Sequence, residues 1–454
     1  MLIAAMATPL LSGCYGKGSS ADPPTNFTPA AGDGRVVLTW TSVPGVDYWL
    51  FTATDPSLTA FNWTGLAHAY ARINAPTPFY MCGLIDGLPY YFAANGRING
   101  GPGGPSSPTV TATPYNASAA AWTPASGVPS TTNLNGVGYT SLTTCGNIAT
   151  ISSTGMFAAV GSGGAIFTSP DGKIWNTPTS PISTDLYAVT GYAANQNNPT
   201  SPGLRWVAVG AGGASVYSLD GITWSIGNAY NSGSLANPGN YALRSITRVG
   251  STFYTVGDAG TIISSPDGIT WTHRPYNAAN ATTQNLNGVT HGGIYVAVGD
   301  SGTILTSGDG NTWTTQTSGT TNKLRQVASF GSIYGNVYVA VGDGGTIVTS
   351  KDGATWNAQT LSGTPNLVGI TAESRAVDPV TAIADSSLGF ISTAQFVAID
   401  STGNAYTSVN GYTWTPSVGT GISCGTATSC MNPLVSSGFG YVAAGDAGAT
   451  AYAF

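Results

Sequence analysis

Aspartate supplies almost all of the acidic chemistry in this chain. There are 18 Asp and one Glu, Glu373, among 454 residues. Asp258, Asp300, Asp343 and Asp446 hold one place in Gly-Asp-x-Gly sequences, with Asp400 nearby in Ile-Asp-Ser-Thr-Gly. Carboxylates repeated at one register position can form a partial ring that attracts cations or a basic partner, interrupted here at Ser162 and Ala211. Two of them about 5–9.5 Å apart could cleave a glycosidic bond. Turn chemistry explains the same pattern without a ligand, because Asp bonds its own backbone in tight hairpins. His68, His273 and His291 are scattered, and no Cys/His spacing resembles a zinc site. No metal and no cofactor is expected. Cys424 and Cys430 are close enough to staple a short loop as a disulfide, while Cys82 and Cys145 pair across a domain boundary or stay free.

The elements that must position these groups are written six times. Ser-x-Asp/Asn-Gly-x-Thr/Ile-Trp occurs at 169–175, 218–224, 265–271, 307–313, 350–356 and 408–414. A period of about 40–50 residues signals a stacked or radial architecture. The clearest copy runs Leu286-Asn-Gly-Val-Thr, Ile294-Tyr-Val-Ala-Val-Gly-Asp300, Gly302-Thr-Ile-Leu-Thr-Ser307 and Asn311-Thr-Trp313-Thr-Thr. That is four short strands, a to d, the unit of a β-propeller blade. The repeated motif falls on the c–d hairpin. Its aspartates (Asp171, Asp220, Asp267, Asp309, Asp352) bond nearby amides, the Gly takes positive φ, and its tryptophans (Trp175, Trp224, Trp271, Trp313, Trp356, Trp414) pack between sheets. A partial seventh copy ends the chain without strand d, and Ala121-Trp122-Thr-Pro124 matches Thr413-Trp414-Thr-Pro416. The segment around Trp122 is therefore expected to close a seven-bladed ring over 118–454. The Gly-Asp-x-Gly positions then fall on b–c turns, which share a face with the d–a loops at 227–241, 275–285 and 419–431. The 372–392 insertion, with Glu373 and Arg375, is expected between strands a and b on the opposite face.

These motifs resemble the Asp-box (BNR) repeat. Asp-box propellers include sialidases, a resemblance that implies three convergent arginines, a Tyr/Glu nucleophile pair and an acid/base Asp. Glu373 lies in Ala-Glu-Ser-Arg, unlike any sialidase motif, and Arg205, Arg244, Arg248, Arg274, Arg325 and Arg375 sit in unrelated contexts. The Val-Gly-Asp-x-Gly-Thr-Ile rhythm is more similar to the photosystem II stability/assembly factor family. That resemblance implies a seven-bladed, non-catalytic scaffold; it does not carry photosynthetic assembly over, because those proteins present a basic patch and this chain has few Arg.

The first 14 residues join an apolar run to Leu11-Ser12-Gly13-Cys14. The run is too short to span a bilayer and suits a signal peptide. The tetrapeptide resembles the bacterial lipobox, which implies lipidation at Cys14; no Lys or Arg precedes it. Tyr15 after the Cys implies the outer membrane. Residues 15–22 read as a flexible tether. Residues 23–115 alternate as strands, as in Arg35-Val-Val-Leu-Thr-Trp40, and place Tyr90 three residues after Gly87 as a tyrosine corner requires. With the Gly-rich 99–105 segment, they resemble a fibronectin type III β-sandwich.

Composition bounds the partners. Charged residues are 7% of the chain, against roughly 25% in ordinary domains. With net charge −6 and four Lys there is no basic footprint for nucleic acid. The reading is an all-β, exported lipoprotein that binds or scaffolds an envelope or extracellular protein and is not an enzyme, with the membrane reached through the lipid. Polysaccharide is the second partner class. The alternatives are a self-associating subunit of an extracellular layer or filament, and a glycan-binding or glycan-cleaving propeller.

Overall fold

The computed structural model describes residues 18–32, 35–75, 77–82, 84, 87–114, 122–140, 156–194, 203–227, 241–273, 282–332, 335–376, 392–417, 419–420, 422, 433–436 and 441–453. Among these residues there is no α-helix; strands alternate with tight turns and short 3-10 segments. They fall into two compact units.

The first unit spans the described residues up to 114. Its strands are β1 (Ser19–Ala21), β2 (Thr25–Gly32), β3 (Arg35–Thr41), β4 (Asp47–Ala53), β5 (Tyr70–Arg72), β6 (Phe79–Cys82), β7 (Tyr90–Ile98) and β8 (Val110–Ala112). One sheet has the order β2-β3-β6; the other runs β1-β7-β4-β5, with β8 also on β7. The period-2 pattern of β3 turns Val36, Leu38 and Trp40 into a core shared with Tyr48, Leu50, Phe79 and Phe92. Trp40 meets Phe27 and Tyr48 edge-on, each at 6.1 Å. Residues 19–21 of the expected tether are instead a strand, paired from Ser19↔Ile98 to Ala21↔Gly96. A Cβ on Gly101 would overlap Ser19, and one on Gly104 would overlap Ala21. The Gly-rich segment is thus a backbone-only cradle for β1.

The second unit is a β-propeller. It begins with β9 (Thr123–Pro124) and then the sheet β10 (Leu134–Thr140), β11 (Met156–Gly161), β12 (Ile166–Ser169). The next sheets are β13 (Leu186–Ala194), β14 (Gly203–Gly210), β15 (Ser215–Ser218), β16 (Trp224–Ile226), and β17 (Leu243–Val249), β18 (Thr252–Gly257), β19 (Ile262–Ser265), β20 (Thr272–His273). They are followed by β21 (Leu286–His291), β22 (Tyr295–Gly299), β23 (Ile304–Ser307), β24 (Thr314–Gln316). Then come β25 (Leu324–Ser332), β26 (Gly335–Gly342), β27 (Thr346–Ser350), β28 (Asn357–Thr360). A further sheet is β29 (Leu367–Ala376), β30 (Ser392–Asp400), β31 (Ala405–Ser408), β32 (Thr415–Ser417). The last is β33 (Leu434–Ser436), β34 (Tyr441–Ala444), β35 (Thr450–Ala453), and its fourth strand is β9. Tyr452 pairs with Thr123 and Ala451 with Pro124, so the segment beside Trp122 completes the final sheet.

The first strands of all these sheets (β10, β13, β17, β21, β25, β29 and β33) line one central cavity of about 270 Å³. Its wall is neutral, with Thr190, Thr247, Thr290 and Thr371 among the lining residues. Each first strand opens on a buried leucine: Leu134, Leu186, Leu243, Leu286, Leu324, Leu367 and Leu434. Consecutive sheets bury apolar faces against one another, as where Val207 and Val209 of β14 meet Phe253 of β18 and Ile263 of β19. Burying such faces at roughly 25 cal/mol per Å² is the main force holding the ring together.

Candidate functional site

The six repeated heptads form one local structure. In the hairpin between β23 and β24, Ser307 Oγ donates to Asp309 Oδ1 at 3.0 Å and accepts the Gly310 amide at 2.8 Å. Asp309 Oδ1 also accepts the amides of Asn311 and Thr312 at 2.8 and 2.7 Å. Asp171, Asp220, Asp267 and Asp352 make the same bonds, and Asn410 does so with its amide oxygen. Gly310 has φ +71° and is pressed against Tyr254 of the preceding sheet, so only glycine fits. Trp313 is fully buried among Tyr254, Val256 and Ile262 of that sheet and donates its indole N–H to Gly310 O at 3.3 Å. These Asp and Trp residues are occupied in holding turn to turn and sheet to sheet.

Backbone amides pull the Asp309 and Asp352 carboxyls down to about 2. At Asp171, Asp220 and Asp267, burial pushes the other way but the same amide bonds outweigh it, and the direction is again down. A carboxyl depressed on folding contributes stability that is complete above its unfolded value near 4 and is lost as pH falls through its folded value. The propeller's melting temperature is therefore expected to hold flat from neutral pH to about pH 5 and fall steeply between about pH 4 and 2. Asp309→Asn, which keeps the accepting oxygen, should flatten that fall in a thermal-melt series; an unchanged slope would exclude Asp309 as a contributor.

The Gly-Asp-x-Gly aspartates lie on the b–c turns, as the repeat predicts. Three of these turns donate the Asp backbone N–H to the residue just before the first strand of their own sheet: Asp258 N to Ala242 O at 3.0 Å, Asp300 N to Asn285 O at 2.9 Å and Asp343 N to Lys323 O at 3.0 Å. The turns and the starts of the first strands therefore share a face. Three of the four carboxylates are neutralised from within the fold. Asp258 pairs with Arg244 at 2.6 Å, Asp300 with Lys323 at 3.2 Å, and Asp343 with Arg325. Asp300 also accepts from Asn287 and Asn285 at 2.9 and 3.0 Å. Burial raises the Asp300 carboxyl, yet Asn287 and Lys323 outweigh it and the direction is down. Asp446 occupies the corresponding turn between β34 and β35. Asp400 accepts from Thr402, Asn404 and Tyr406, and burial beside this carboxylate pushes the Tyr406 phenol up to about 12. Among the described residues, no three His, Cys, Asp or Glu side chains come together as a metal site.

Two features escape the sequence motifs. First, an Asx side chain preceding a first strand clasps the b–c turn of the preceding sheet. Asn133, Asp185, Asn285 and Asn366 accept from the amides of Ala447, Gly163, Ala259 and Gly344 at 2.7–3.0 Å. The recurring Asx-Leu dipeptide is the available signal. Second, Glu373 belongs to β29 and not to a surface insertion. It is buried, with Ser436 Oγ at 2.5 Å on one carboxylate oxygen and Tyr441 Oη on the other, both from the closing sheet.

Cys14, Cys145, Cys424 and Cys430, and most of the 227–241, 275–285 and 419–431 loops, lie outside the described residues, as does the 377–391 part of the insertion. Cys82 ends β6. No described helix is long and apolar enough to cross a membrane.

Comparison with known proteins agrees with the propeller. Residues 206–324, from β14 to the start of β25, match the model of the DUF6242 beta propeller domain. No curated protein matches the chain. Among solved structures, YCF48 bound to D1 peptide is similar at 16% identity, covering 73% of this chain and 94% of that one, with a TM-score of 0.48. YCF48 from Cyanidioschyzon merolae gives 15% identity, 73% and 98% coverage and a TM-score of 0.47. The WD40 beta propeller domain of Doa1 gives 10%, 73% and 94%, and 0.46.

Proposed function

We propose that this chain is an exported, lipid-anchored envelope protein whose seven-bladed Asp-box propeller binds another protein and catalyses no reaction. The observation that carries the reading is the commitment of the repeated carboxylates to structure. Those on the c–d hairpins bind turn amides, and Asp258, Asp300 and Asp343 are held by Arg244, Lys323 and Arg325. The b–c face is left as a platform on which the charges of Asp258, Asp300 and Asp343 are paired within the fold, a surface suited to recognition. Leu11-Ser12-Gly13-Cys14 supports acylation at Cys14. The two facing sheets, the buried Trp40 and the buried Tyr90 after Gly87 support a fibronectin type III-like first domain.

Amine-reactive cross-linking of whole envelopes tests this, because the chain has so few lysines. Lys323 lies on the b–c face, while Lys173 and Lys351 sit on c–d hairpins. Links to one envelope protein are expected through Lys323. Links made solely through Lys173 and Lys351 would remove the b–c face, and turnover on a glycan panel would remove the non-catalytic reading.

A further inference from the structure

We infer that one end of the first domain is held in the headgroup layer of the bilayer, so that the lipid surface is itself a docking partner of this domain. The inference rests on acylation at Cys14, as proposed above. Its independent basis is where the fold begins. β1 starts at Ser19, and the chain is already confined at Gly18, where a Cβ would overlap Gly101. Four residue steps separate Cys14 from Gly18 in the sequence. Fully extended, four residues span at most about 14 Å. One headgroup layer takes up about 5–8 Å of that, since the hydrocarbon core is about 30 Å of a bilayer about 40–45 Å thick. Less than about 10 Å remains for water between lipid and protein, about the thickness of one packed sheet layer.

The end of the domain brought to the surface is fixed by strand register. Ser19 pairs with Ile98 and Asp47 with Arg97, so the turn from residue 42 to 46 and the Ile98–Gly101 corner flank the start of β1. Leu50 pairs with Arg72, and Ala75 N donates to Tyr48 O, which brings residues 73–75 to the same end. Two large aliphatic side chains stand exposed there, Val43 at 52% and Ile73 at 54%. Arg97 lies 3.5 Å over the Trp49 ring, and Trp49 donates to Asn74 at 3.2 Å. Two exposed aliphatic side chains at the same end as an aromatic ring and a cation suit the boundary between headgroups and acyl chains. The opposite end, at Gly87, is turned away because β7 runs between the two.

The test uses the full-length lipidated chain in phospholipid vesicles that carry a lipid with a photoactivatable diazirine near the glycerol. Adducts located by mass spectrometry should be several-fold more frequent on peptides containing Val43, Ile73 and residues 97–101 than on the peptide around Gly87. A Gly/Ser spacer of about 15 residues placed after Tyr15, with a mean span of about 20 Å, should abolish the difference. Adducts spread evenly over both ends, with the acyl chain on Cys14 verified in the same spectra, would overturn this inference and leave the anchor standing. Absence of the acyl chain would overturn the anchor, and the inference with it.

Discussion

Replacing Trp313 with alanine is expected to destabilise the propeller by about 3–5 kcal/mol, the usual cost of truncating a buried indole to a methyl. Trp313 is fully buried, 6.0 Å from the Tyr295 ring, and joins two sheets: Tyr254 and Ile262 of one, Tyr295 and Leu305 of its own. Removing it opens a cavity between layers that the rigid c–d turn cannot collapse to fill, because Gly310 already touches Tyr254. Trp414, in the same place on a later hairpin, is only partly buried, and its truncation should cost visibly less. Chemical unfolding of the two variants beside the parent provides the comparison. A Trp313→Ala loss under about 1 kcal/mol would mean that the repeat's tryptophans do not carry the inter-sheet packing, and equal losses would mean that burial of the ring does not set the cost.

Glu373→Ala is expected to be of similar size for a different reason. The carboxylate takes a hydrogen bond on each oxygen, from Ser436 and from Tyr441, at a site only 5% exposed. A hydrogen bond contributes about 0.5–1.5 kcal/mol and a buried polar group left without a partner costs about 1–3 kcal/mol, and here both hydroxyls lose their acceptor at once, so a loss of about 3–5 kcal/mol follows. Tyr441→Phe should cost part of this, and the double variant less than the sum, because both remove the same bond. Strict additivity would show that Glu373 and Tyr441 act independently. Glu373 fastens β29 to β33 and β34 of the final sheet.

The features most legible in the sequence are those whose chemistry is local. Ser, Asp, Gly and Trp within seven residues make the c–d hairpin by themselves, so the motif locates the hairpins and, through their spacing, the propeller. The residue before each first strand is harder to see because its partner is in the preceding sheet, and because Ala242, Lys323 and Pro433 fill the place in three copies. Arg244 and Arg325 share no motif with any sialidase, yet both follow the first-strand leucine, the position from which they reach a b–c carboxylate. Residues 19–21 resemble a tether because a strand cradled by glycine backbone needs no apolar alternation. Glu373 resembles part of an insertion because composition changes after Ala376, whereas the strand itself runs on to that residue.

The pairing of β9 with β35 also bears on how the molecule is made. Asn133 and Ala447 touch across 314 residues of sequence, and the strand at Thr123 waits for Tyr452. Contacts so distant along the chain exact their loop-closure entropy before they return any stabilisation, which makes them slow to form. A chain that emerges N-terminus first would therefore carry β9 unpaired until β35, the strand it pairs with, arrives. Until then β9 stays open to any strand nearby. The ring closure that hides its edges at the end of folding leaves the newborn propeller dependent on a protected interval.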